Sequence, residues 1–236
     1  MNYFSSYLGN LKNDRMICEF SKANQVRKNT DCLFVDSGIL AENRDIERIV
    51  RFQKIGDIVS PPDELEDVDT TLSNTLEWYE KSKNIHTIDK MCFVLQGKRK
   101  EDYLKCLEEM RNTIEGIEYV GLGGLICKPD LKIKDTLTLL PRLHEEGLKV
   151  HIFGLGVRWL DALLEYNPFS FDSSTPIRDA ISFYVYDNNF TKTCLSKSGV
   201  ACSKLRTMIG QVNNYQVKNY ITNFIQKPKT TLNNYN

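Results

Sequence analysis

The stretch 149–175, KVHIFGLGVRWLDALLEYNPFSFDSST, holds the pattern that decides the fold. It opens with a short apolar, β-rich run, 149–153 (KVHIF), and breaks at Gly154-Leu155-Gly156. An amphipathic segment follows over 158–166, where Trp159, Leu160, Leu163 and Leu164 form one apolar stripe at helical spacing. A second β-rich run, 169–171 (FSF), ends at once in Asp172-Ser173-Ser174. Strand, glycine turn, helix, strand is the reading of a parallel βαβ unit.

Working outward, the same unit recurs. β-rich runs fall at 32–35 (CLFV), 57–59 (DIV), 91–95 (MCFVL) and 117–122 (IEYVGL), and 2–8 (NYFSSYL) reads as an earlier strand. Helices are expected over 69–82, with Leu72, Leu76 and Tyr79 on one face and Asp69 as N-cap, and over 101–114, with Leu104, Leu107, Met110 and Ile114 aligned. A further helix over 135–146 should be kinked or shortened by Pro141. Strand ends carry polar or glycine signatures at Asp36, Asp63, Gln96, Gly123, Phe153 and Asp172, spaced 19 to 33 residues apart. An open doubly wound sheet gathers its ligand signature at one switch point. A signature at every strand end predicts instead an α/β fold of the TIM-like (β/α)₈ barrel type, compact or partly trimmed, with its chemistry at the C-terminal face.

Charge divides the chain. The 236 residues hold 31 basic and 31 acidic side chains, yet no Asp or Glu occurs from Asn188 to Asn236, where seven Lys and Arg lie. The division predicts a barrel body over 1–187 and a basic C-terminal segment over 188–236, with Lys197, Lys204 and Arg206 as candidate phosphate contacts. The plainer reading docks that segment on the acidic body. Seven cysteines, none in a CxxC pair, argue against a disulfide framework and a cysteine-rich zinc ribbon, and point to a reducing, cytoplasmic setting. No apolar run is long enough for a transmembrane helix, and no secretion signal is read at the N-terminus.

Six strand-end motifs in order resemble those of the tRNA-guanine transglycosylase superfamily. They are Asp36-Ser37-Gly38, the run from Gly56 to Glu64, Val94-Leu95-Gln96-Gly97, Gly121-Leu122-Gly123-Gly124-Leu125, Phe153-Gly154-Leu155-Gly156, and Phe171-Asp172-Ser173-Ser174-Thr175-Pro176. The resemblance covers residues 30–180. It implies exchange of guanine for a 7-deazaguanine derivative in nucleic acid by double displacement at C1′. On the matched positions, Asp172 would be the nucleophile and Asp36 the proton-handling carboxyl. Asp63, Gln96, Gly123 and Gly124 would read the base edge, and Phe153 would stack on its face.

The family's zinc motif is missing. The C-terminal part offers only Cys194 and Cys202, with no His beyond His151, so no metal and no cofactor is expected. Ile39 and Leu40 also depart from the glycine-aromatic pair of the tRNA enzymes. A compact body without a zinc subdomain is similar to the DNA-modifying DpdA branch, met in bacterial modification clusters and phages. The partners implied are DNA, with tRNA as the alternative, and a free 7-deazaguanine base such as preQ0. A homodimer or a partner protein stays open, and the setting would be host cytoplasm for a phage-encoded chain. A non-catalytic nucleic-acid-binding barrel, or a barrel enzyme of small phosphorylated metabolites, remains a rival. Each site residue has a plainer role as well: turn for Asp36, turn or cap for Asp63, cap for Asp172, loop for Gln96, core for Phe153. Asp57 and Glu64 read as structural, and His86, His144 and His151 as structural or surface.

Overall fold

Strands too short to form independent hairpins can still build a sheet when each is followed by a crossover that covers it. The computed structural model has that arrangement; it describes residues 1–6, 13–38, 45–188, 190–195 and 203–226. The chain divides into two compact units, Met1–Thr175 and Pro176–Asn236, so residues 176–187 belong with the C-terminal segment.

In the first unit, β1 (Asn2–Ser6), β2 (Arg15–Glu19), α1 (Ala23–Val26), β3 (Cys32–Asp36), α2 (Ile46–Gln53), β4 (Ile58–Val59), α3 (Val68–Ser82) and β5 (Phe93–Leu95) come first. They are followed by α4 (Lys100–Arg111), β6 (Tyr119–Leu122), α5 (Asp130–Leu137), α6 (Leu140–Glu145), β7 (Lys149–Ile152), α7 (Leu160–Tyr166) and β8 (Ser170–Ser173). The eight strands form one parallel sheet in the order β4-β3-β2-β1-β8-β7-β6-β5. The sheet curls strongly. β3 and β7 are four strands apart in that order, yet the rings of Phe34 and His151 lie 4.9 Å centroid to centroid. A flat sheet would set those strands about 19 Å apart, at roughly 4.8 Å per strand. Phe4, Ile17, Phe34, Cys92 and Tyr119 form an apolar layer inside the curl, with Phe153 packed against it.

The ring of strands is not closed by a continuous ladder: the sheet is TIM-like in its curl and parallel order but does not close into a barrel. Between edge strands β4 and β5 the described pairing is one bridge, Val59 to Met91, with the Cys92 N–H donating to the Val59 carbonyl at 2.9 Å. Both edges are short, β4 with two residues and β5 with three.

Local chemistry sets the helices. Asp45 caps α2 by accepting from Arg48 N at 3.1 Å, and Ile46, Ile49, Val50 and Gln53 are buried at helical spacing. The N-cap of α3 is Asp67, not Asp69, accepting from Thr70 N at 3.0 Å. Its buried face is Thr71, Thr75, Trp78 and Ser82, while Leu72, Leu76 and Tyr79 flank it half-buried. The small Thr and Ser side chains let α3 approach closely, and Trp78 reaches through to donate to Gln53 Oε1 at 2.7 Å. Gln53 in turn donates to the carbonyls of Val35 and Ser60, tying α2 and α3 to the ends of β3 and β4. Pro141 divides the expected helix over 135–146 into α5 and α6, taking a first-turn position where its missing N–H costs nothing.

The second unit contains α8 (Thr175–Ile181), the antiparallel pair β9 (Tyr184–Tyr186) and β10 (Lys192–Cys194), and α9 (Ser203–Gln226). Ala180, Phe183 and Ile209 form its apolar centre. Buried Asn213 joins three elements: its amide donates to the Pro176 and Tyr184 carbonyls, and its oxygen accepts from Tyr186 N at 2.9 Å. No described helix is long and apolar enough to cross a membrane.

Candidate active site

Parallel strands all end on one side of the sheet, so whatever follows each strand is delivered to the same place. A cavity of about 470 Å³ opens there, lined from Ser6, Glu19, Asp36, Asp63, Val94, Gly123, Gly124, Phe153 and Asp172, at or just past the ends of all eight strands. Four carboxylates, Glu19, Asp36, Asp63 and Asp172, face it together with Lys22. Six of the seven candidate catalytic and base-binding residues therefore meet in one cavity. Gln96, the seventh, lies fully buried immediately behind the wall.

Asp172, on β8, is 7% exposed. Its Oδ1 accepts from the Gly154 N–H at 2.8 Å and lies 3.3 Å from His151 Nε2. Behind His151 runs a buried chain. Its Nδ1 lies 2.8 Å from Ser170 Oγ, which lies 2.6 Å from the Tyr119 hydroxyl. Burial pushes the Tyr119 phenol far above the usual tyrosine range, so it keeps its proton.

Asp36 ends β3 and accepts from Ser60 Oγ at 2.8 Å. Burial pushes its carboxyl above the usual carboxylate range. The charge of Asp172 adds to the shift, while hydrogen bonds from Ser60, Gly38 and Ser37 oppose it. Two carboxyl groups in mutual electrostatic contact, one biased toward its protonated form, can divide the roles of nucleophile and acid. Cys18 also lines the cavity, but burial first, then Asp36 and Glu19, push its thiol up to about 12, which keeps it from acting as a thiolate.

The opposite wall is a packed set. Gln96 donates from Nε2 to Asp63 Oδ2, and its Oε1 accepts from Glu66 N at 3.3 Å. A Cβ on Gly123 would stand 2.4 Å from Gln96 Nε2, and one on Gly124, at φ +72°, 2.6 Å from its Oε1. Glycine at both positions is what lets the β6 end lie against this amide. Gly123 N donates to the Leu95 carbonyl, and its own carbonyl accepts from Tyr103 at 2.7 Å. Gln96 and Gly123 thus hold Asp63 and the wall in place. Lys128, its side chain wholly buried, bonds Glu66, Gly97 O and Lys98 O and secures the turns that follow β4 and β5. Phe153 lies against the backbone of Gly121, where a Cβ would approach its ring to 2.2 Å, and also borders the cavity. It is both core and wall.

Asp57 has a structural role, accepting from Leu33 N at 2.8 Å and pairing with Arg27. His86 is largely buried and away from the cavity lining. In the second unit Arg206 is half-buried, with its guanidinium 5.0 Å from the Phe183 ring centroid. Lys197, Cys202, Ile39 and Leu40 lie outside the described residues, as does the side chain of Lys204.

Sequence patterning alone does not single out Ser170, Tyr119, Ser60, Glu19 or Lys22, and it reads His151 as structural or surface. A signal for two of them is nonetheless present. His151 and Ser170 stand two residues before Phe153 and Asp172, and in a strand that spacing puts them on the same face; they are also register partners across β7 and β8. Fold and site together define a parallel α/β protein with a carboxylate-lined cavity at its strand ends. No family model matches the chain, and no curated protein matches it.

Proposed function

We propose that this chain is a base-exchange transglycosylase acting on DNA, with a curled sheet that represents a trimmed (β/α)₈ barrel. The observation that carries the reading is the placement of Asp172 and Asp36 at one cavity, with Asp36 biased by burial toward its protonated form, facing the Asp63–Gln96 wall. In the first step, Asp172 Oδ2 attacks C1′ of the target deoxyguanosine. The C1′–N9 bond breaks, its electron pair passes to the base, and Asp36 supplies the proton that neutralises the departing guanine. In the second step the incoming 7-deazaguanine gives its N9 proton to Asp36, its nitrogen attacks C1′ from the face guanine left, and Asp172 is released as a carboxylate. Two inversions restore the configuration at C1′. Asp63 accepts from the ring N–H and exocyclic amine of the base, which suits a carboxylate held rigid by Gln96. The cavity is in the usual size range of small-molecule sites, and a duplex substrate must flip its nucleotide to reach it.

The test is exchange of labelled guanine, run on DNA and on tRNA in parallel, with wild type and Asp172→Asn. Wild type should exchange guanine in DNA and leave a protein–DNA adduct that survives denaturation. Asp172→Asn should bind DNA within about twofold of wild type and form no adduct. Full exchange in the mutant refutes the nucleophile, and exchange confined to tRNA transfers the reading to that substrate.

A further inference from the structure

The buried polar chain beneath Asp172 has a cost that packing alone does not explain. His151 and Ser170 have no exposed surface and Tyr119 has 2%, and the imidazole lies among the rings of Phe4, Phe34 and Phe153, at 6.0, 4.9 and 4.4 Å. An apolar side chain would fill the same place without a desolvation penalty. Among the described residues, the three polar groups are satisfied by one another and by the carboxylate above them.

Resting on the base-exchange reading, we propose that His151 is the positioning residue for the nucleophile. With the Gly154 N–H it holds Oδ1 of Asp172, so that Oδ2 is presented to C1′, and Ser170 and Tyr119 select the tautomer that does this. The argument is directional. A carboxylate rotates about its last torsion over a broad, two-fold profile. Both donors fall on the same oxygen, Gly154 N at 2.8 Å and His151 Nε2 at 3.3 Å, which stops that rotation. In the neutral imidazole, Nε2 can donate only if Nδ1 accepts, and the group within reach of Nδ1 is the Ser170 hydroxyl. Ser170 then spends its proton on Nδ1 and accepts from Tyr119. The chain runs one way, Tyr119 to Ser170 to His151 to Asp172, with one proton per link. When Oδ2 becomes an ester, Oδ1 becomes its carbonyl oxygen and still accepts both bonds, so nothing has to rearrange between the two steps.

Two measurements test this. Side-chain ¹⁵N NMR of the full-length protein should find His151 protonated at Nε2 and bare at Nδ1. Single-turnover adduct formation, KM for the incoming base and melting temperature should then be compared for wild type, His151→Asn and His151→Gln. The Asn amide reaches Ser170 but not Asp172, whereas the Gln amide nitrogen falls close to the position of Nε2. His151→Asn should slow adduct formation on the order of 10- to 100-fold, the scale set by a misaligned attacking group, with KM within about twofold. His151→Gln should recover most of that rate. A proton on Nδ1, or a wild-type rate in His151→Asn, overturns the positioning role and leaves base exchange standing. Equal losses in both variants, tracking melting temperature, also overturn it by making His151 purely structural. A wild type that forms no adduct with DNA or tRNA removes base exchange and the positioning role together. Should His151→Asn fail to fold, the NMR result and His151→Gln still decide.

Discussion

In the base-exchange reading, Asp36 would couple function to stability through one ionisation. Its carboxyl titrates higher in the folded chain than in the unfolded one, burial being the larger cause and Asp172 the next to raise it. The folded state therefore holds this proton to a higher pH than the unfolded state does. The resulting stability is fully present below the unfolded value of about 3.9 and is lost as pH rises through the folded value. Asp36→Asn cannot ionise, so its melting temperature should gain on wild type as pH goes from 4 to 8, while base exchange disappears throughout. A melting difference that stays constant over that range would show that Asp36 carries no net penalty for ionising. Such a gain in stability on loss of function is the usual mark of a group kept for chemistry.

At the scale of the element, the β6 strand Tyr119–Leu122 and the turn after it show how backbone shape sets the width of the site. Gly121 lies under Phe153, and a methyl there would come within 2.2 Å of the ring. The ring's other neighbours, Phe34 and His151, are buried, so the free direction is toward the cavity. Gly121→Ala should cost about 1–3 kcal/mol by overpacking and should also raise KM for the base. Gly147→Ala provides the contrast. Gly147 has φ +78° with nothing within 4 Å of an added Cβ, so it should lose about 1–2 kcal/mol to left-handed strain with KM unchanged. Urea unfolding with steady-state kinetics on both variants checks the pair, and equal KM values would deny Phe153 a place at the base.

For the whole molecule, the question is charge. Residues 188–236 carry seven basic and no acidic side chains, leaving the first 187 with 24 basic and 31 acidic. Each phosphate neutralised in duplex DNA contributes about 0.9 to the log–log salt slope. Replacing Lys197 and Lys204 with Gln should flatten the slope by about that much for each phosphate no longer neutralised, and should leave melting nearly unchanged. Arg206→Gln should do the reverse, because its guanidinium packs over Phe183. Lys192 is already paired with Asp179 at 2.8 Å and should contribute little to binding. Salt titrations of DNA affinity beside melting curves separate the two groups, and an unchanged slope in the lysine variants removes the nucleic-acid role from those lysines.

How much is legible in the chain follows the range of the interactions involved. The stripe of Trp159, Leu160, Leu163 and Leu164, the break at Pro141 and the polar end of nearly every strand are local, and the sequence by itself determined them: apolar spacing and turn chemistry act over a few residues. β2, RMICE, escapes a sequence reading because its apolar centre is only three residues long, between Arg15 and Glu19. The face of α3 differs from its leucine pattern because close packing favours Thr71 and Thr75 over the larger side chains beside them. Asp36, Asp63 and Asp172 can be picked out because each stands at or just past the end of a β-rich run within a motif of the resemblance, and parallel strands end together. What only the tertiary structure decided is non-local. The Tyr119–Ser170–His151–Asp172 chain joins three strands, the Gln96 amide turns onto Asp63 and the two glycines, and β4 and β5 meet at a single bridge. Such contacts depend on the curl and register of the sheet, which arise from all eight strands packing at once, so no window of sequence contains them.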